Sequence, residues 1–247
     1  MGASAIEFRL RMVINAAIII LGFWAPWIER WHIGRRMSLL EWLALELSRT
    51  GVASFSVATS LLLIIAALIA AKAALFRVWG TAYLGADTVN SASMLAGKVM
   101  ADGPYRYVRN PLYIGLWCMV IAMTFLMPAT GAAFSAILIT IFATRLTLGE
   151  EAFLSVKLGE PYMAYLKAVP RFIPRLRGAP SPAGTKPHWV RALLAELTPI
   201  GVLVAVVAVS RNYDLEIAGR IILVFFGASL ITRAFLPGVR VNSEPGL

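Results

Sequence analysis

The chain has 247 residues, of which 59% are hydrophobic and 15% are charged. A soluble domain of this length is about half apolar and about a quarter charged, so the composition excludes an ordinary soluble enzyme and indicates a polytopic membrane protein. The net charge of +10 comes from basic residues that flank apolar runs, which is typical of topology signals and anionic-lipid contacts and not of nucleic-acid binding. With one cysteine and two isolated histidines, neither an internal disulfide nor a metal site is expected.

The first predicted span covers residues 12–28 and ends in a group of tryptophans that is typical of an interfacial anchor: Trp24, Trp27 and Trp31. Ser38 and Glu41 are spaced as a capping box, which predicts that a short helix begins there. This helix continues to Arg49 and carries interspersed charges, so we expect it to lie in the membrane interface.

The second predicted span covers residues 53–76, and its helix continues out of the bilayer until Gly85 ends it. Two further apolar stretches, 112–127 and 131–147, are separated by a short turn with a helix breaker at each end. We therefore predict a tight helical hairpin. Such a hairpin places the loop before it next to the segment after it.

The segment 150–177 is charged and amphipathic, and Gly159 and Pro161 predict that it is divided into two short helices. Two more spans are predicted at 190–210 and 217–236. The total is about six transmembrane helices in an all-α fold, with a cytosolic amphipathic helical segment and both termini on one side.

Composition divides this chain into four regions. Residues 178–187 contain glycine, proline, serine and threonine, which are typical of a linker. This linker separates a central region from a C-terminal one, and a further region precedes the central one. Glu196, in the fifth predicted span, either faces a cavity or lies at the interface, and the interface is favoured because Glu196 lies only one to two turns into that span. The predicted regions are an N-terminal span with an interfacial helix (1–52), a membrane core (53–177), a linker (178–187) and a C-terminal membrane hairpin (188–247).

The polar loop Gly103–Gly115 is rich in arginine and tyrosine and leads directly into an apolar segment. Pro111 is suited to the first turn of a helix, so the loop supplies a helix N-terminus beside arginines, which is a favourable seat for a carboxylate or phosphate. The segment after the hairpin adds Arg145, Glu150 and Glu151. Paired acids and bases suit a ligand such as S-adenosylmethionine, although residues of these types next to a membrane are also common as solvated or ion-paired flanks.

The run from Lys98 to Gly115, with Asn110-Pro111-x-Tyr113-x-Gly115 at its end, resembles the Arg-His-Pro-x-Tyr-x-Gly signature of the isoprenylcysteine carboxyl methyltransferase and phospholipid methyltransferase superfamily. Downstream, the Glu150-Glu151 pair followed by a glycine and two tyrosines resembles the second element of that superfamily: Gly159, Tyr162 and Tyr165. The resemblance covers about residues 55–175. The first span and the last two spans lie outside it.

This resemblance implies a bacterial-type member that uses S-adenosylmethionine at the cytosolic face of a membrane. The cofactor-binding residues that it implies are Lys98, Val99, Met100, Tyr105, Arg109, Asn110, Pro111, Tyr113, Glu150 and Glu151. It also implies that Arg145 faces the acceptor and that Asn110 occupies the position of the family's histidine, so that these two residues are the candidate catalytic residues. Because an asparagine does not titrate near neutral pH, no general base is predicted.

The resemblance implies that the acceptor is a lipid or another lipophilic molecule with a carboxylate, an amine or a thiol. It also implies an integral protein of the bacterial cytoplasmic membrane, in contact with membrane lipids, with both termini and the active site cytosolic. Two alternatives stay open at this point. One is a nicotinamide-dependent membrane reductase of a related fold, and the other is a non-catalytic membrane factor.

Overall fold

The structure is a computed structural model, and it describes residues 2–24, 37–91, 94, 99–175, 177, 179–212 and 214–235. Helices account for most of the described residues, no strand is assigned within those ranges, and the all-α prediction is confirmed there. A short 3₁₀ turn covers Gly103–Arg106. The α-helices are α1 (Ala5–Arg9), α2 (Arg11–Phe23), α3 (Leu39–Arg49), α4 (Phe55–Leu84), α5 (Ala86–Asn90), α6 (Pro111–Thr124), α7 (Ala129–Leu158), α8 (Glu160–Ala168), α9 (Trp189–Ala195), α10 (Leu197–Asn212) and α11 (Leu215–Phe235).

Several helix ends lie where local chemistry predicts them. The Ser38 hydroxyl accepts the Glu41 amide at 3.2 Å while the Glu41 carboxylate accepts the Ser38 amide at 2.8 Å, which confirms the capping box. Gly85 ends α4 with a φ of +95°, a conformation that glycine adopts without steric cost. Pro111 opens α6 as predicted.

The charged segment after the hairpin differs in one respect from the prediction. Gly159, with a φ of +59°, does break the helix, and α8 follows it. However, the first of the two predicted short helices is the end of the 30-residue α7, because the single glycine before Glu150, Gly149, is tolerated inside the helix, where it packs against the backbone of Ala3. This continuity fixes Glu150 and Glu151 rigidly to the second arm of the hairpin.

Two described helices, α4 and α7, are long and apolar enough to cross a membrane. The pair α9 and α10, bent by 67°, makes a third candidate if it counts as one span. The predicted total of six is not confirmed: α2 and α6 have 13 and 14 residues, or about 20 Å each, against a hydrocarbon core of about 30 Å. Trp27 and Trp31 of the first predicted span lie outside the described residues. The apolar helices are those of an integral membrane protein.

Small residues allow α4 and α6 to pack closely. Along α4, Ala66, Ala70 and Ala73 are completely buried. A Cβ atom added to Gly115 of α6 would lie 3.0 Å from the carbonyl oxygen of Ala73, so the two backbones approach too closely for a larger residue. On its other side α4 packs against α10, whose buried residues belong to the same apolar core: Val202, Ala205, Val206 and Val209.

The hairpin of α6 and α7 closes through a tight turn, as predicted. Backbone amides at the start of α3 bind this turn, because Leu39 donates to Met127 at 2.7 Å and Leu40 donates to Phe125 at 3.1 Å. The predicted hairpin and the interfacial helix are therefore joined at the end of the molecule opposite the loop that precedes α6.

The N-terminal helices lie antiparallel to α7. The Ser135 hydroxyl donates to the carbonyl of Ile18 at 3.0 Å, and the Ala3 amide donates to the carbonyl of Arg145 at 2.7 Å. The chain start therefore lies beside the part of α7 that precedes Glu150. The sequence does not predict this contact, because no local pattern pairs α2 with α7.

The predicted linker is held against the protein over its described part. The buried carboxylate of Asp102 accepts the amides of Ala183 at 2.7 Å and Thr185 at 2.8 Å. In addition, the Arg106 guanidinium donates to the carbonyl of Pro180 at 2.7 Å. These bonds join the loop before α6 to the strap 179–187 that leads to the C-terminal helices.

Candidate functional site

The buried carboxylate of Glu151 is the centre of a polar cluster that we call the Glu151 cluster: Arg109, Asn110, Glu151 and Arg171. Its Oε1 accepts hydrogen bonds from Arg109 Nε at 3.1 Å and from Asn110 Nδ2 at 2.9 Å. Its Oε2 accepts from Arg171 Nε at 3.0 Å and from Arg171 Nη2 at 2.8 Å, and this hydrogen bond raises the pKa of Arg171 above its ordinary value. With both oxygens engaged, Glu151 joins the loop before α6 to the segment after α8.

Backbone bonds reinforce the same junction. Arg109 donates through its guanidinium to the carbonyl of Leu166 at 2.6 Å and through its amide to the carbonyl of Pro170 at 2.9 Å. The Tyr165 hydroxyl donates to the carbonyl of Tyr105 at 2.8 Å. The loop that contains the signature is therefore held by α7 and α8 together, and Arg109 and Asn110 are engaged in holding it.

Glu150, the neighbour of Glu151, has different surroundings. Within the described part of the chain, it forms no ion pair with an arginine or lysine. Its carboxylate is within hydrogen-bonding reach of the Tyr113 hydroxyl, and Arg11 acts on it electrostatically. Arg11 is itself fixed by carbonyls, since its Nη2 donates to Val89 at 3.0 Å and to Ser91 at 2.5 Å. We call Tyr113 and Glu150 the open pair.

A buried hydroxyl without a partner lies in the same loop. The Tyr105 side chain is 6% exposed, and no described residue forms a hydrogen bond with its hydroxyl. Burial, and then the negative charge of Glu150, raise the pKa of Tyr105 well above its ordinary value, so the hydroxyl is a protonated donor. A buried donor without an acceptor costs about 1–3 kcal/mol, which indicates a place for an acceptor that a ligand brings.

The structure thus brings several predicted residues to one end of the hairpin: Tyr105, Arg109, Asn110, Pro111, Tyr113, Glu150 and Glu151. Val99 is half-buried against the cluster of Tyr162 and Tyr165, and Met100 is half-buried in the same segment. Lys98 lies outside the described residues.

Arg145 does not join the Glu151 cluster. Its guanidinium instead pairs with the Glu7 carboxylate of α1, at 2.9 Å from both carboxylate oxygens. The reason is helical geometry: residues six apart point about 120° away from each other around a helix. Its assignment to the acceptor stays a prediction. The local signal at the partner Glu7 is a capping box with Ser4, which places Glu7 at a helix start but does not link it to Arg145.

Four further polar residues near the site were not predicted as parts of it. Arg77 of α4 forms a two-point ion pair with Glu196, with both hydrogen bonds at 2.8 Å, and Thr81 donates to the same carboxylate at 2.6 Å. Glu196 is 1% exposed and is buried in the protein between α4 and the junction of α9 and α10, while its expected depth at the membrane interface stays a prediction. Arg11 was also missed, because at the sequence level it only flanks an apolar run.

The part of the chain that contains this site is similar to known proteins. Residues 55–160 match the family model described as "Phospholipid methyltransferase". The chain is 37% identical over 78 residues to the protein-S-isoprenylcysteine O-methyltransferase of Schizosaccharomyces pombe. That similarity covers 31% of this chain and 33% of the relative, so the chain spans about a third of the length of the curated relative that it matches. No solved structure matches the chain.

The matched region runs from the start of α4 to the first residue of α8. It contains Tyr105, the open pair and three of the four residues of the Glu151 cluster, whereas α1, α2 and the C-terminal helices lie outside it. Residues 55–160 of this chain are therefore similar to the superfamily of isoprenylcysteine carboxyl methyltransferases and phospholipid methyltransferases, which supports the resemblance found in the sequence.

Proposed function

We propose that this protein is an integral-membrane methyltransferase that uses S-adenosylmethionine to methylate a lipophilic acceptor carrying a carboxylate, an amine or a thiol. The observation that carries the proposal is the difference between two adjacent glutamates in the family-matched region. Glu151 is engaged by three side chains, while Glu150 forms no ion pair in the described part of the chain. This arrangement favours a site in which Glu151 fixes the surrounding loop and the neighbouring Glu150 carboxylate binds the ligand.

The residues present fit the chemistry of S-adenosylmethionine. Its ribose hydroxyls and ammonium group are donors that suit the Glu150 carboxylate. The unpartnered hydroxyl of Tyr105 supplies a buried donor for one of its acceptor atoms. Tyr113, beside Glu150, would hold the same carboxylate in orientation. Pro111 and Val99 would line the cofactor pocket, as the resemblance implies. Lys98 and Met100 stay predictions as cofactor-binding residues.

S-adenosylmethionine supplies an electrophilic methyl group on a sulfonium, which an already nucleophilic carboxylate or thiolate attacks in line. For a carboxylate or thiolate acceptor, the residues of this chain therefore have to bind it, align it and exclude water, and none has to act as a base, whereas an amine acceptor has to react in its unprotonated form. Asn110 has no titration near neutral pH, and its amide already donates to Glu151. We assign Asn110 the role of positioning the start of α6, and we keep Arg145 as the proposed contact on the acceptor side.

Isothermal titration of the purified protein in detergent tests the cofactor. We expect saturable binding of S-adenosylhomocysteine to the wild type and a loss of at least about tenfold in affinity in Glu150→Gln, because a charge-assisted hydrogen bond is lost. Glu46→Gln is the matched control, since it makes the same change at a half-exposed position in α3, outside the site. Absence of binding by the wild type, or preferential binding of NADPH, would refute the proposal and in the second case support a reductase.

We further propose that the loop before α6 is cytosolic in a bacterial cytoplasmic membrane, because the cofactor is made in the cytosol. Cys118 is buried, so a Cys118→Ala background with one new cysteine at position 106 gives a clean probe of the loop. We expect a membrane-impermeant maleimide to label this position in inverted vesicles only. Labelling from outside intact cells would contradict the orientation without affecting the cofactor assignment.

A further inference from the structure

We infer that Glu196 is a positioning residue for Arg77, and that Arg77 binds an anionic group of the ligand in the site. The inference rests on the proposed function and deepens it. It makes the C-terminal helices, which lie outside the family-matched region, a working part of the site. The anionic group is a carboxylate or phosphate, carried either by the cofactor or by the acceptor.

The geometry of the pair is that of a prepared binding residue. Glu196 accepts from both Nε and Nη2 of Arg77 at 2.8 Å, and the Thr81 hydroxyl donates to Glu196 at 2.6 Å. The remaining nitrogen of the guanidinium, Nη1, makes no hydrogen bond within the described residues, and the Arg77 side chain is 18% exposed. Two of the three nitrogens therefore fix the guanidinium, and the third is free to donate.

The position of Glu196 in the chain explains how a C-terminal helix reaches the site. Glu196 lies at the junction of α9 and α10, where the chain bends by 67°. Pro199 follows three residues later and removes a donor from the first turn of α10. Interrupted helices at membrane depth are tolerated where their free backbone groups are buried in protein, and in transporters they border binding sites. Here the interruption turns a buried carboxylate toward α4.

Arg77 also lies among the residues of the site. Its stem passes over Gly115 of the signature, because a Cβ atom added there would lie 2.6 Å from Arg77 Cγ and 3.0 Å from Arg77 Cδ. Its charge acts on Tyr105, Tyr113 and Arg11. Glycine at position 115 thus makes room for this side chain next to the open pair.

The charges favour an anion between the two arginines. Arg11 is held by the carbonyls of Phe8, Val89 and Ser91, which are neutral; Tyr113 and Glu150 act favourably on its charge, and Arg77 acts on it unfavourably. Glu196 compensates Arg77 from the far side but leaves Nη1 open. A carboxylate or phosphate bound to Nη1 would reduce this repulsion. Because the guanidinium of Arg77 is planar, fixing two of its nitrogens also fixes the direction in which Nη1 donates.

The test compares two adenosine thioethers that differ in their amino acid portion. S-adenosylhomocysteine carries an amino acid chain with a carboxylate and an ammonium, whereas 5′-methylthioadenosine carries a methyl group there and lacks both charges. Titration of both ligands into wild type, Arg77→Gln and Glu196→Gln gives the ratio of the two affinities. A purely structural role for the pair would lower both affinities together and leave this ratio unchanged.

If the anion is the cofactor carboxylate, both variants should lose at least about tenfold in affinity for S-adenosylhomocysteine and keep their affinity for 5′-methylthioadenosine. If it belongs to the acceptor, both affinities should stay unchanged while KM for the acceptor rises by a similar factor. An unchanged ratio together with an unchanged KM would overturn the inference alone. A wild type that binds neither nucleoside would overturn the proposed function as well.

The exposed pair Arg220–Glu216 in α11 is the matched control, and Glu216→Gln should change neither affinity. Should Glu196→Gln not fold, Thr81→Val removes only the hydroxyl that holds Glu196 and keeps both charges. We expect Thr81→Val to move the ratio in the same direction by several-fold, and Thr81→Ser, which keeps the hydroxyl, to restore it. An unmoved ratio in a folded Thr81→Val protein, with an unmoved KM, would count against the inference.

Discussion

Glu150 and Glu151 are adjacent in sequence but do not share an environment. Residues one apart on a helix point about 100° away from each other, so one carboxylate reaches the loop before α6 and the other reaches Tyr113. The sequence predicts both as cofactor ligands. Only the tertiary contacts distinguish Glu151, which fixes the loop before α6, from Glu150, which can bind a ligand.

Thermal unfolding in detergent tests this separation. Glu151→Gln should lower the unfolding free energy by about 3 kcal/mol, because Arg109, with 10% of its side chain exposed, would lose its buried anion. Glu150→Gln should leave the melting temperature close to that of the wild type and lose cofactor affinity instead. Equal melting temperatures for the two variants, both below the wild type, would refute the division.

Asn110 provides a second test at the residue scale. Its Nδ2 donates to Glu151, and a histidine can supply an N–H donor in its place, so Asn110→His should keep both the fold and the cofactor affinity. Asn110→Asp replaces the donor by a second carboxylate and should cost about 2 kcal/mol of unfolding free energy. Melting curves and titrations of the two variants measure this difference. A stable Asn110→Asp protein would contradict the assigned contact.

At the scale of elements, the packing of α6 on α4 depends on Gly115. In Gly115→Ala, the new methyl group would meet Arg77 Cγ at 2.6 Å and the carbonyl oxygen of Ala73 at 3.0 Å. We expect a loss of about 1–3 kcal/mol in unfolding free energy, together with displacement of Arg77. Gly219→Ala, in a helix with no atom within 4 Å of the new methyl group, is the control and should be neutral or stabilising. A neutral Gly115→Ala would contradict the close approach.

The contact of α1 with α7 should depend on pH in a direction that the Glu7 pKa fixes. Its hydrogen bond to Arg145 lowers the pKa of Glu7 from 4.5 to about 2. A carboxyl group with a lowered pKa contributes stability above its unfolded value, and this contribution is lost as the pH falls from about 4.5 through about 2. Hydrogen exchange at the Ala3 amide, corrected for its intrinsic rate, should show constant protection between pH 7 and 5. Loss of protection at pH 6 would contradict the pairing.

The elements were predictable where the signal is local. Ser38 with Glu41, Gly85, Pro111 and Gly159 each act on their own helix end, and all four predictions are confirmed. The number of spans was less predictable, because hydropathy does not distinguish a span from a shorter helix that is buried against others. The apolar runs around α2 and α6 show this, because they form helices of only 13 and 14 residues, respectively.

At the scale of the whole molecule, the site is assembled from parts that are distant in the chain. Arg77 and Glu196 are 119 positions apart, and Glu7 and Arg145 are 138 apart. No periodicity or motif links such positions, so sequence reasoning found the signature residues and missed Glu7, Arg11 and Glu196 as partners. The strap 179–187, bound by Asp102, joins the family-matched core to the helices that carry Glu196.

The most direct measurement of the central claim is transfer of a radiolabelled methyl group from S-adenosylmethionine into membranes that contain the protein. We predict that label enters an organic-soluble product with wild type and with Glu46→Gln, and that Glu150→Gln reduces the initial rate by at least about tenfold. Identification of the labelled product then gives the acceptor. Absence of label above that in membranes without the protein, or an undiminished rate in Glu150→Gln, would contradict the account.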